Sequence, residues 1–153
     1  MEMLIALVIM ALAVAGASLA LRPDDSRQLA NEATRLALLL EQAREESALG
    51  GMPLAWVAAE DRYEFERRGM SRSGPEWTVL RGDELLRPRQ LPGGLRIVRM
   101  EADGRPLVFG ERLNLGLQGA RQVVIELAFG RERTRVHSRD ERFEVTAMAA
   151  VSP

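Results

Sequence analysis

His137 is the only histidine in the 153-residue chain, and it stands beside Ser138 with Asp140 close behind. Brought together in space, those three side-chain types supply a nucleophile, a base and an orienting carboxylate. Their spacing argues against that use. Consecutive strand residues point to opposite faces, so His137 and Ser138 diverge if the stretch is extended. No nucleophile-elbow motif frames the serine. A surface or half-buried histidine is the expectation. Cysteine is absent, which removes disulfides, thiolate metal sites and a thiol nucleophile. One histidine without cysteine leaves a poor ligand set for catalytic zinc. Asp24, Asp25, Asp61, Asp83 and Asp103 lack the alternating spacing of a calcium loop, and helix caps and turns account for them. The expectation is a chain without catalytic residues, cofactor or metal, and not an enzyme.

The charges exclude a further class. The 21 basic residues, all arginine, face 22 acids, for a formal net charge of -1. No overall positive field is present to hold nucleic acid. The densest run, Arg131 to Arg142, interleaves arginines with Glu132, Asp140 and Glu141. It reads as a mixed-charge solvated face, suited to an acidic partner head more than to phosphates. Trp56 and Trp77 read as core or sheet packing and not as ligand platforms. Neither nucleic acid nor a small-molecule ligand is expected.

Positioning such a surface falls to three segments: 1–22, 23–51 and 52–153. In the second, Leu29, Ala33, Leu36, Leu40 and Ala43 recur at helical spacing and predict an amphipathic helix over 26–49. Glu32 with Arg35 and Glu41 with Arg44 are placed to pair on its outer surface. Asp24, Asp25 and Ser26 cap the start after a break at Pro23, and Gly50-Gly51 followed by Pro53 ends it. The helix should lay Leu29, Leu36 and Leu40 on a sheet.

From Pro53 onward the period becomes strand-like. Segments 54–59 and 62–67 flank Glu60-Asp61 as a hairpin. A polar loop is expected over 69–75, and strands over 77–80 and 84–86. A loop over 88–94 precedes a strand over 95–101. Asp103-Gly104 marks a turn before a strand over 107–109. Further strands are expected over 113–117, 122–129, 133–138 and 142–148. The fold class is α+β, a long N-terminal helix on an antiparallel sheet or sandwich.

The first segment is apolar. From Met3 to Leu21, 19 residues pass without a charge, about 28 Å as a helix and close to the thickness of the bilayer's hydrocarbon. A cleavable signal would show a basic start, which is missing before the run. A buried core helix of this length exceeds what a small domain hides. A single membrane span fits best, with the amphipathic helix as its continuation. Ala13 with Ala17, and Gly16 with Ala20, are small-residue pairs four apart that let helices approach closely. Ordinary anchor composition explains them nearly as well. Glu2 stands at the lipid boundary, where a carboxylate is tolerated, whereas deeper burial costs a few kcal/mol, about 3 on insertion scales.

The run Glu2-Met3-Leu4-Ile5-Ala6-Leu7-Val8-Ile9-Met10 resembles the start of a type IV pilin-like protein, in which a glutamate opens an apolar helix. That family's basic leader and Gly-Phe junction would stand upstream of Glu2, so peptidase processing and N-methylation are not supported by the residues from Met1 onward. A second stretch is similar to the H-type (GspH-like) minor pseudopilin of type II secretion. It runs from Ala33 to Glu46 into Gly50-Gly51-Met52-Pro53, then Asp61-Arg62-Tyr63-Glu64-Phe65, Trp77 and Leu91-Pro92-Gly93-Gly94-Leu95.

The resemblance implies assembly and no turnover. It implies a pilin-like fold, a single pass through the bacterial inner membrane and a periplasmic head. Its partners would be other major and minor pseudopilins, near the tip of a filament that exports folded proteins across the outer membrane. Glu2 would pair with a neighbouring subunit's terminal amine and set helix register. Read without the family, it is equally an incidental acid. The alternatives are a minor pilin of a type IV pilus (FimT-like), acting in pilus assembly, adhesion or DNA uptake, and a signal-anchored periplasmic binding or hydrolase domain.

Overall fold

A computed structural model describes residues 25–116, 118–139 and 142–148. Among them, α1 spans Asp25–Gly50, one residue beyond the expected helix at each end. The stripe Leu29, Ala33, Leu36, Leu40 and Ala43 is at most 1% exposed. Ala37 and Leu39 widen it. Glu32 departs from its expected outward position and is buried. It lies three residues past Leu29 and four before Leu36, so helical geometry places it on their stripe. Arg35 Nη1 donates to its Oε1 at 2.9 Å.

The helix ends at Gly50, and Gly51 follows with φ 64°. This left-handed residue closes the last turn at little steric cost. Ser47 then joins the helix to the head. Its hydroxyl donates to the Met52 carbonyl at 3.1 Å and accepts from the Leu54 amide at 3.2 Å.

Among the described residues, ten strands form two antiparallel sheets. The first holds β1 (Leu54–Ala58), β2 (Arg62–Ser71), β3 (Gly74–Val79), β4 (Arg89–Gln90) and β7 (Arg112–Asn114). Its order is β3-β2-β1-β7, with β4 also on β2. The second holds β5 (Leu95–Ala102), β6 (Arg105–Pro106), β8 (Val123–Phe129), β9 (Glu132–Arg139) and β10 (Arg142–Met148), in the order β10-β9-β8-β5-β6. The helix packs mainly on β9 and β10 and also touches β8 and β1. One core joins all three layers: Leu36 and Leu40 from the helix, Trp56, Tyr63 and Phe65 from the first sheet, Ile97, Ile125, Leu127 and Val136 from the second.

Four further expectations are corrected. The segment 69–75 is no loop, because β2 continues through Met70 to Ser71 and β3 starts at Gly74. Pro75 is tolerated because β3 is an edge strand, where a missing amide leaves no ladder bond unmade. The segment 84–86 is a turn, held by Asp83 Oδ1 accepting from the Leu85 and Leu86 amides at 2.9 and 2.8 Å. The segment 107–109 forms no strand, and the short pairing falls on β6 instead. Leu107 alone turns inward, while Val108 and Phe109 are exposed. The strand expected over 113–117 is shorter, ending as β7 at Asn114.

Contacts along α1 distinguish two ends of the head. Arg44 stacks on Phe143, 4.5 Å from the ring centroid, and donates to the Ala120 carbonyl at 3.4 Å. Glu46 pairs with Arg67, and Ser47 holds the start of β1. This far end lies beside the C-terminal half of α1. At the other end, Tyr63 feels the charges of Glu32 and Arg35. The turns at Asp61, Gly93 and Gly130 gather there: the Leu91 amide donates to the Asp61 carbonyl at 2.8 Å, and Gly94 packs on Phe129. That near end is the one beside the start of α1.

Candidate assembly surface

Glu2, Ala13, Gly16, Ala17 and Ala20 lie outside the described residues, as does the apolar run 3–21. Among the described residues, no helix is long and apolar enough to cross a membrane.

The residues with chemical potential in the head are engaged locally. His137 faces outward on β9, with its Nε2 3.8 Å from a Glu144 carboxylate oxygen. Ser138 points to the opposite face, as strand alternation requires. Its hydroxyl donates to the Arg121 carbonyl at 2.9 Å and accepts from the Val123 amide at 2.8 Å. Asp140 lies outside the described residues. Asp103 takes φ 50° with Gly104 at φ 77°, a tight-turn geometry that suits Asp-Gly. Its carboxylate also accepts from the Arg121 and Gln122 amides at 3.0 and 2.9 Å. Among the described residues, no three histidine or acidic side chains are grouped to hold a metal ion.

The arginine-rich strand resolves into an ordered face. On the outside of the second sheet, Arg135 donates to Glu126 at 2.9 Å, and Arg99 Nη1 lies 3.8 Å from the same carboxylate oxygen. Arg99 also bonds Glu101, which raises the guanidinium pKa above its ordinary value, mainly through that hydrogen bond. Acids and arginines alternate across the strands, so the charges here are largely satisfied within the sheet.

The first sheet exposes a different face. Arg112 lies across it, bonded to Glu66 and 5.5 Å from the Trp77 ring centroid. Beyond Trp77 an open hollow is lined by Gly51, Pro53, Arg68, Trp77 and Asn114. Its setting is apolar and exposed. Leu49 is 89% exposed, Met70 83% and Met52 49%, and all three belong to far-end segments of α1, β2 and the connection between α1 and β1. Water-facing apolar side chains at one end of the head suit a protein contact. Sequence reasoning missed it, although one signal was available. Leu49 and Leu38 sit opposite the buried stripe on a helical projection, and Leu38 is 62% exposed. Met70 carried no such signal, because the loop expected there hid its strand.

No protein-family model matches the chain, and no curated protein sequence matches it. Solved structures do match in fold. One, of the minor pseudopilin EpsH from the Type 2 Secretion System of Vibrio cholerae, superposes with a TM-score of 0.58 at 16% identity, over 80% of this chain and 97% of that one. A crystal structure of the same Vibrio cholerae pseudopilin gives 0.56 at 15% identity, over 83% and 97%. The helix and two-sheet head of this chain therefore share the fold of an H-type minor pseudopilin.

Proposed function

We propose that this chain is a minor pseudopilin of the H type, a structural subunit of a type II secretion pseudopilus that acts by assembly and not by catalysis. The observation that carries the reading is the seating of a single N-terminal helix on two antiparallel sheets, in the manner of a solved minor pseudopilin. The sequence supports the rest. Residues 3–21 supply the inner-membrane span that becomes a filament-core helix, and the head projects into the periplasm. Glu2 pairs with a neighbour's terminal amine and fixes helix register, because an unpaired carboxylate drawn into an apolar helix bundle is costly. The small-residue pairs Ala13 with Ala17 and Gly16 with Ala20 admit the neighbouring helices. Other pseudopilins are the partners, and Leu49, Met52 and Met70 at the far end are where their heads would bear.

The test is genetic and needs no purified filament. In cells lacking this chain, release of folded exoproteins to the medium should fall and wild-type chain should restore it. Glu2→Ala should restore it poorly while reaching normal abundance. Full restoration by Glu2→Ala counts against the register role. Loss of surface pili with normal secretion would reject the pseudopilus in favour of a type IV pilus.

A further inference from the structure

We propose that the near end of the head docks on anionic phospholipid headgroups through Arg131 and Arg133. The docking rests on the reading above, in which residues 3–21 span the membrane.

The geometry starts from where the apolar run stops. Four residue steps separate Leu21 from Asp25, at most about 14 Å of extended chain. The first turn of α1 is thus tied within about 14 Å of the hydrocarbon, a layer partly filled by headgroups. The turns at Asp61, Gly93 and Gly130 project from the head on that side. They face the bilayer as long as the chain is anchored and unassembled.

The charge at this end is the second observation. Arg131 is exposed in the turn between Phe129 and Glu132. Arg133 stands on β9 between Ala128 and Met148 in the cross-strand register, with no acid directly beside it. Among the described residues, neither guanidinium has an ion-pair partner. The other charges on these turns largely cancel. Arg96 lies 3.3 Å from Glu60, and Arg62 lies 3.6 Å from Asp61. Glu132 is the remaining acid. Two guanidiniums that are unpaired among the described residues, at one end of the two sheets, are complementary to lipid phosphates, which guanidinium binds in bidentate fashion. Each basic group at an anionic leaflet favours the docked state about fivefold, and the pair about 25-fold. Assembly would exchange this contact for neighbouring helices, so docking holds the head in one orientation until the chain leaves the bilayer.

The absence of cysteine makes the test clean. A β-carbon at Gly93 meets open space, so Gly93→Cys accepts a fluorophore at the near end. Ser73→Cys labels the tip beyond β2, about 30 Å away along a ten-residue strand. The full-length chain is placed in nanodiscs carrying a headgroup-linked quencher, either rich in phosphatidylglycerol or made of phosphatidylcholine alone. The label at position 93 should be quenched in the anionic discs and at least fivefold less in the zwitterionic ones. Salt at 1 M should remove most of the difference, and the label at position 73 should stay bright throughout. Arg131→Glu with Arg133→Glu should abolish the lipid dependence at an unchanged circular dichroism spectrum. Equal quenching at position 93 in both lipids, or an undiminished difference in the double variant, overturns the docking while leaving the anchored pseudopilin intact. A chain that does not enter the discs at all overturns the anchor, and the docking with it.

Discussion

Tyr63 shows what a single side chain does in this core. Its ring stands between Trp56 and Phe65, with centroids 6.1 and 6.2 Å away. Its hydroxyl is buried without a hydrogen-bond partner among the described residues. Burial pushes the phenol from 10.0 up to about 12, with Arg89 opposing and Glu32 adding to the shift. Below pH 10 both the folded and unfolded states keep this proton, and the neutral ring's contribution is fully present. Between pH 10 and 12 only the unfolded chain releases it, so stability falls as pH rises, by about 1.4 kcal/mol per unit at most. Tyr63→Phe removes both the orphan hydroxyl and the titration. The variant should match or exceed wild-type stability at pH 8, by about 1 kcal/mol, and lose less stability at pH 11. Urea unfolding at the two pH values measures both. A variant weaker than wild type at pH 8 would show that the hydroxyl has a partner. At this scale the sequence was a good guide to burial but a poor one to polarity. The stripe from Leu29 to Ala43 could be read from spacing alone. Glu32 was assigned outward because it is charged, although the same spacing put it inward.

Ser47 makes the corresponding point for elements. Its hydroxyl satisfies the Leu54 amide at the first residue of β1, where Leu54 is only 1% exposed. It is the polar joint between α1 and the first sheet, assisted by the Glu46–Arg67 pair. Gly116 leaves it room, since a β-carbon there would stand 3.0 Å from the hydroxyl oxygen. Ser47→Ala leaves a buried amide unsatisfied and should cost about 2 kcal/mol. Amide exchange should accelerate most at Leu54 and in the last turn of α1. A loss below about 0.5 kcal/mol would mean that water replaces the hydroxyl, which is inconsistent with so closed a joint. Nothing in the local sequence announced Ser47, since a serine near a helix end ordinarily reads as a solvated position. Elements whose signal is local were legible: the helix, the hairpin about Glu60-Asp61, the Asp103-Gly104 turn, and β10 to the residue. The failures came where pairing overrode propensity. Gly69 and Pro75 suggested a loop, yet the β2–β3 ladder runs straight across them.

For the whole molecule, the strand list carried the composition of the head but not its division into two sheets. β1 pairs with β7, and β5 with β8. These partners are distant in sequence, and alternation along one strand does not name the strand beside it. The assembly residues Glu2, Ala13, Gly16, Ala17 and Ala20 were reached through composition and resemblance, whereas the far-end cluster needed the fold. Among the described residues, every layer of the core lies between Leu29 and Phe143. A chain starting at Ser26 should therefore fold by itself as a monomer, because it keeps the helix stripe and both sheets. Its far-ultraviolet circular dichroism should report mostly strand, with about one residue in five helical, since α1 alone supplies the long helix. Unfolding in urea should be a single transition, because helix and sheets share one core and neither sheet has an inner face to bury without the other. A helix-dominated spectrum would break the two-sheet head. Two separate transitions would break the shared core, and with it the rigid end-to-end orientation on which both the far-end contact and the lipid docking depend.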